Sequence, residues 1–77
     1  MRIYVMWQLD KTNVSIMDIT NLTEQTMDVF VNLDRVIVAN ILMDMFEADC
    51  IITADSEEDM MGMFPNASVI HEKGVVN

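Results

Sequence analysis

Between Asn21 and Asp49 the apolar residues keep a helical spacing but change phase. At about 100° per residue, Leu22, Val29, Leu33 and Val36 mark one face of the first part. Ile37, Ile41, Met45 and Ala48, with Val38 and Leu42 beside them, mark a different face in the second. Asn40, Asp44 and Glu47 occupy the angular sector that Leu22, Val29 and Leu33 held before. One straight helix would therefore bury carboxylates or expose leucines, and a break near Leu33-Asp34 removes the conflict. Asp34 then caps a second helix running to about Ala48. At the front, Asn21 followed three positions later by Glu24 fits a capped helix start. For residues 26 to 33 a strand competes with the helix, because Met27, Val29, Val31 and Leu33 alternate with Thr26, Asp28 and Asn32, and only Phe30 spoils the alternation. The helix is the favoured reading.

The flanking segments read as strands. Ile3, Val5, Trp7 and Leu9 fall on one face and Arg2, Tyr4, Met6 and Gln8 on the other, which is the period of a strand over residues 2 to 9. Asp10-Lys11-Thr12-Asn13 supplies turn chemistry, and Val14 to Ile19 offers the second arm of a hairpin. Beyond the helices, Cys50 to Ala54 is a buried strand, and Asp55-Ser56 starts a short helix through about Phe64 that Pro65-Asn66 ends. Ala67 to His71 makes a last strand, Glu72-Lys73-Gly74 a turn, and Val75 to Asn77 a loose end. The order β-β-α(α)-β-α-β predicts a small single-domain α+β sandwich, an N-terminal hairpin followed by helices packed on a short mixed sheet. Its last two strands, joined through a helical crossover, are expected to be parallel. No linker, repeat or low-complexity tract divides residues 1 to 77.

A chain of 77 residues buries only about 60% of its unfolded surface and draws roughly 3–5 kcal/mol from its core. A large enclosed active site is not expected. An apolar share of 52% is high for so small a body that also displays thirteen carboxylates, so part of the apolar surface is expected to meet another chain, as a homodimer or at a docking face. Gln8, Asp10 and Lys11 end the first apolar run, and Asn40 interrupts the second between Arg35 and Asp44, so neither reaches the length of a signal peptide or membrane span. The single cysteine, Cys50, cannot form an internal disulfide, which points to a reducing cytoplasm. The triplets beginning at Asn13, Asn21 and Asn66 match a glycosylation pattern but carry no weight in that compartment.

Charge is the best guide to function. From Val36 to Glu72 the chain carries Asp44, Glu47, Asp49, Asp55, Glu57, Glu58, Asp59 and Glu72 without one lysine or arginine, and the net charge is -9. Such a field repels nucleic acid and anionic membrane and attracts proteins with basic surfaces. Carboxylates three or four apart on a helix lie about 5–6 Å from one another, so a row of them can enter a groove built for phosphates. The densest cluster, Asp55-Ser56-Glu57-Glu58-Asp59, lacks the alternating acids and turn glycine of a calcium loop. It reads instead as a helix start, with Ser56 and Asp59 as a capping box and carboxylates at the positive end of the dipole. Cys50 and His71 could meet on adjacent strands, but Asp49 and Asp55 would raise the thiol pKa, and a structural pair is the better reading. Among the methionines, Met60, Met61 and Met63 lie with Phe64 on a short helix where not all can point inward. They predict an apolar centre ringed by acids.

These features predict a protein-interaction module rather than an enzyme. Asp44, Glu47, Asp55, Glu57, Glu58 and Asp59 would steer a basic partner, and Met60, Met63 and Phe64 would be buried against it. No catalytic, cofactor or metal site is expected, and neither nucleic acid nor membrane is an expected partner. In overall character, tiny, acidic and rich in methionine, the chain resembles the small inhibitor proteins that bacteriophages use against host nucleases, polymerases and defence systems. That resemblance implies binding that blocks or modulates a target. The alternative is a self-assembling homo-oligomer subunit whose charge only maintains solubility.

Overall fold

Alternation along β1 (Arg2–Gln8) sends Ile3, Val5 and Trp7 to one side and Tyr4 and Met6 to the other. The structure, a computed structural model, describes residues 1 to 70. Ile3, Tyr4 and Val5 are buried in succession, so β1 is covered on both faces. It pairs antiparallel with β2 (Val14–Asp18), Val5 opposite Met17 and Gln8 opposite Val14. Leu9 does not extend the strand as the alternation suggested; it sits exposed in the connecting loop. There the Asp10 carboxylate accepts from the backbone N–H groups of Thr12 and Asn13 and from the Asn13 side chain, an Asx turn. These donors, the Asn13 side chain foremost, hold the Asp10 carboxyl below its usual range.

The helix begins directly after β2, as α1 (Thr20–Val29). The expected Asn21 cap does not form. Asn21 already lies inside the helix, and Asp18 Oδ1 accepts the Thr20 N–H at 2.8 Å. Burial pushes the Asp18 carboxyl up, but hydrogen bonds from Thr20 and the Arg2 guanidinium outweigh it and leave it below the ordinary value. Residues 26 to 29 are helical, so the strand reading of this stretch is not adopted. The chain then turns, and Asp34 opens α2 (Arg35–Met45) by accepting the Ile37 N–H at 2.9 Å. The break lies where the phase change required it. Helix α2 stops short of Ala48 because its end is closed by two backward bonds, Glu47 N–H to Asp44 O at 3.1 Å and Ala48 N–H to Met43 O at 3.0 Å. This is a Schellman motif with Glu47 in the left-handed position, at φ 54°.

Three elements follow: β3 (Cys50–Ala54), α3 (Glu57–Met63), capped by Ser56 Oγ accepting the Asp59 N–H at 3.1 Å, and β4 (Ser68–Ile70). The mixed sheet has the order β3-β1-β2-β4, with β3 antiparallel to β1 and β4 parallel to β2. β3 and β4 thus run in the same direction, as the helical crossover implied, but the hairpin stands between them and they form opposite edges. The expected end of the last strand at His71, the turn at residues 72 to 74 and the loose end at residues 75 to 77 lie outside the described residues.

The result is a small α+β domain of three layers. On one face of the sheet Val38, Ala39 and Leu42 of α2 pack on Ile3, Val5, Met17 and Ile19. On the other, α3 supplies the cover among the described residues, and Met60 closes over Tyr4 and Ile16. Full burial of a side chain such as Met60 contributes about 1.5–3 kcal/mol. No helix among the described residues is long and apolar enough to cross a membrane.

Candidate functional site

Helix α1 buries the wrong residues for an ordinary amphipathic helix. Its inward positions are Thr20 and Thr23, with Met27 half-buried beside them, while Val29 at its end is 72% exposed. Threonine can be placed inside because the helix satisfies its hydroxyl: Thr23 Oγ1 donates to Ile19 O at 2.7 Å, and Thr20 Oγ1 accepts the Ile3 N–H at 2.9 Å. The consequence lies on the outer side. Leu22 and Thr26 of α1, Phe30 and Leu33 of the turn, Ile41 and Met45 of α2 and its C-cap residue Phe46 border an open apolar cleft of about 490 Å³. Its size falls in the range of ordinary binding sites.

Helix α2 differs from expectation in the same sense. Of the apolar face read from the sequence, Val38 and Leu42 are buried together with Ala39, whereas Ile37, Ile41 and Met45 are exposed, Met45 by 71%. A rotation of roughly 100° separates the two sets, and the shorter side chains of Val38 and Ala39 let α2 sit close to the sheet. The floor of the cleft is fixed. Trp7 donates its indole N–H to Phe46 O at 3.0 Å, and the two rings meet edge to face with centroids 6.4 Å apart. At the same end of α2, Asp44 and Glu47 are exposed.

The acidic residues do not form one field. Asp44 and Glu47 stand with α2 at the Cys50 end of β3, while Asp55, Glu57, Glu58 and Asp59 stand with α3 beyond its Ala54 end. The two groups thus sit at opposite ends of one strand, roughly 13 Å long at 3.3 Å per residue, and beside helices on opposite faces of the sheet. All six carboxylates are exposed. Arg2 and Arg35 leave them unneutralised, each being held in an ion pair of 2.6 Å, with Asp18 and Glu24 respectively.

The apolar centre expected on α3 is mostly core. Met60 is fully buried and so cannot serve as a partner contact; as the only helix on its face among the described residues, α3 must spend its apolar side chains on the sheet. Met61 and Phe64 are half-buried against the same cluster, and Met63 alone is exposed, at 53%. Cys50 lies on the edge strand β3, its thiol pushed up by burial and then by Asp49, which opposes nucleophile chemistry. His71 lies outside the described residues. Among the described residues no group of three or more metal-ligating side chains converges.

Sequence reasoning therefore missed Leu22, Phe30, Leu33, Ile41, Met45 and Phe46 as one surface. The signal available was the phase conflict itself, which yields two apolar stripes where a single sheet face has room for one. Comparisons with protein-family models, with curated proteins and with solved structures gave no match.

Proposed function

We propose that this chain is a protein-interaction module of the cytoplasm that seats a basic, amphipathic helix of another protein in the cleft between α1 and α2, and blocks or modulates that protein by occupying it. The observation that carries the reading is helix α1, which spends threonines on the core, leaves Val29 and Phe30 exposed and keeps Leu22 only half-buried at the cleft. Two helices bordering an apolar trough accept a third helix through anchors spaced three and four residues apart. Asp44 and Glu47 at one end of the trough favour lysine or arginine on the incoming helix, and the net charge of -9 speeds its approach. The same charge opposes a second copy in this position, because each copy would bring its own Asp44 and Glu47. The small, acidic, methionine-rich character that resembles phage inhibitor proteins supports blocking as the outcome.

The test compares the tagged chain with its Ile41→Asp and Glu57→Lys/Glu58→Lys/Asp59→Lys variants in a bacterial lysate at low and high salt. A partner retained by the parent, lost with Ile41→Asp and kept with reduced on-rate by the triple variant is the expected result. Retention unchanged by Ile41→Asp would overturn the cleft reading. A concentration-independent oligomer of the chain alone, dissolved by Ile41→Asp, would replace it with self-assembly.

A further inference from the structure

The outer edge of β3 is open, and its backbone shows which groups it offers. Ile3 accepts the Ile19 N–H at 2.8 Å and donates its own N–H to Thr20 Oγ1, so the backbone groups of Ile3 point to the β2 side. Thr53, directly opposite Ile3 across the β1–β3 ladder, therefore points its N–H and C=O away from β1, and so does Ile51 opposite Val5. β3 has no second neighbour in the sheet among the described residues. Nor does it carry a device that blunts an edge: residues 50 to 54 contain no proline, lysine or inward charge, and no bulge interrupts the register.

Clefts of different chemistry flank this edge. On the α2 side, Val36, Ala39, Ile51 and Ile3 line an apolar cleft of about 280 Å³. On the α3 side, Asp55, Asp59 and Met63 line one of about 350 Å³. We infer that β3 accepts an extended segment of a partner protein as a fifth strand, with alternating apolar and basic side chains. The apolar residues enter the cleft beside Val36 and Ala39, and the lysines or arginines face Asp55 and Asp59. Side chains of a strand alternate between the two faces of a sheet, so a single added strand meets both clefts at once. A second copy of this chain is disfavoured: in the register that sets Ile51 opposite Thr53, antiparallel pairing of β3 with itself places Asp49 against Asp55 twice, and like charges directly opposite are destabilising.

This edge is separate from the α1–α2 cleft, and the inference stands or falls without it. The experiment titrates the folded chain with a capped peptide of sequence Lys-Val-Lys-Val-Lys-Val and, as control, Glu-Val-Glu-Val-Glu-Val, following backbone amides by NMR and hydrogen exchange. The lysine peptide is expected to shift and protect the Ile51 and Thr53 amides, to bind about tenfold more tightly than the glutamate peptide at low salt, and to weaken as salt rises. Thr53→Pro removes the outward donor, and Asp55→Lys/Asp59→Lys keeps the backbone while setting like charges against the lysine peptide; both are expected to abolish the protection. Shifts confined to Leu22, Phe30 and Ile41, equal response to the two peptides, or no protection at Ile51 and Thr53 would overturn the proposal. Protection of those amides by the chain's own concentration, without peptide, would also overturn it and make a second copy the occupant.

Discussion

Glu47 holds a backbone conformation that glycine takes without penalty, and replacing it tests the account of how α2 ends. At φ 54° its Cβ approaches the following carbonyl, which costs an L-residue roughly 1–2 kcal/mol. Glycine lacks that cost but brings back about 0.5–1 kcal/mol of unfolded-state freedom. Among the described residues the Glu47 side chain makes no hydrogen bond or ion pair that the change would lose. Glu47→Gly is therefore expected to stabilise the chain by about 0.5–1 kcal/mol, read as a higher urea midpoint with unchanged slope and a melting temperature raised by roughly 2–8 °C for a domain of this size. The same variant removes a carboxylate from the end of the α1–α2 cleft, so association with a basic partner should slow while stability rises. A lowered urea midpoint would refute the argument, since it would mean the side chain or its conformation contributes more than the strain it stores.

Three further outcomes follow from the same structure. The Tyr4 side chain is fully buried and its hydroxyl has no hydrogen-bond partner among the described residues, so Tyr4→Phe should be neutral or stabilising by about 1 kcal/mol in chemical denaturation. Burial, foremost, holds the Tyr4 phenol above its usual 10.0; the stability this represents is intact below that value and fades as pH rises through the higher folded one, so Tyr4→Phe should also flatten the alkaline loss. Gly62 lies within α3 at negative φ with open space where a Cβ would stand, and Gly62→Ala should raise the thermal midpoint through about 0.5–1 kcal/mol of helix stability. Asp18 titrates below its usual 3.8, so its contribution is present above that value and lost as pH falls through the lower folded one; Asp18→Asn should give a shallower acid limb in a pH series of urea midpoints.

Much of the backbone was legible from local pattern. The break at Leu33-Asp34 followed from an angular conflict that only a second helix could resolve, and Ser56 and Asp34 announced the starts of α3 and α2 through cap chemistry. The inward faces were not legible. Hydropathy ranks Leu22 and Val29 above Thr20 and Thr23, but it does not register that a threonine hydroxyl bonded to Ile19 O carries little penalty inside. It therefore placed Val29, which is exposed, on the same inward face as Leu22, which is only half-buried. The same blindness assigned Met60 to a partner, because seven residues of α3 must cover a whole sheet face and hydropathy does not say how many helices share that work. The acidic residues from Asp44 to Asp59 are close in sequence, and only the sheet order, with β3 at an edge and its two ends apart, divides them.

That sheet order also sets the sequence of events by which the chain can assemble. The two inner strands are neighbours along the chain, so the hairpin needs only a short loop to close, an event of microseconds. β3 and β4 then add on either side over similar separations, Arg2 to Ala54 and Ser15 to Ser68, but only β4 pairs in parallel. Distant, parallel pairings of this kind are the slow step in small domains. Until it is made, β2 presents a bare edge and α3 has only part of its platform, so a ribosome-bound or truncated chain lacking β4 would leave the β2 edge at Ser15, Ile16 and Met17 open to whatever strand it meets first.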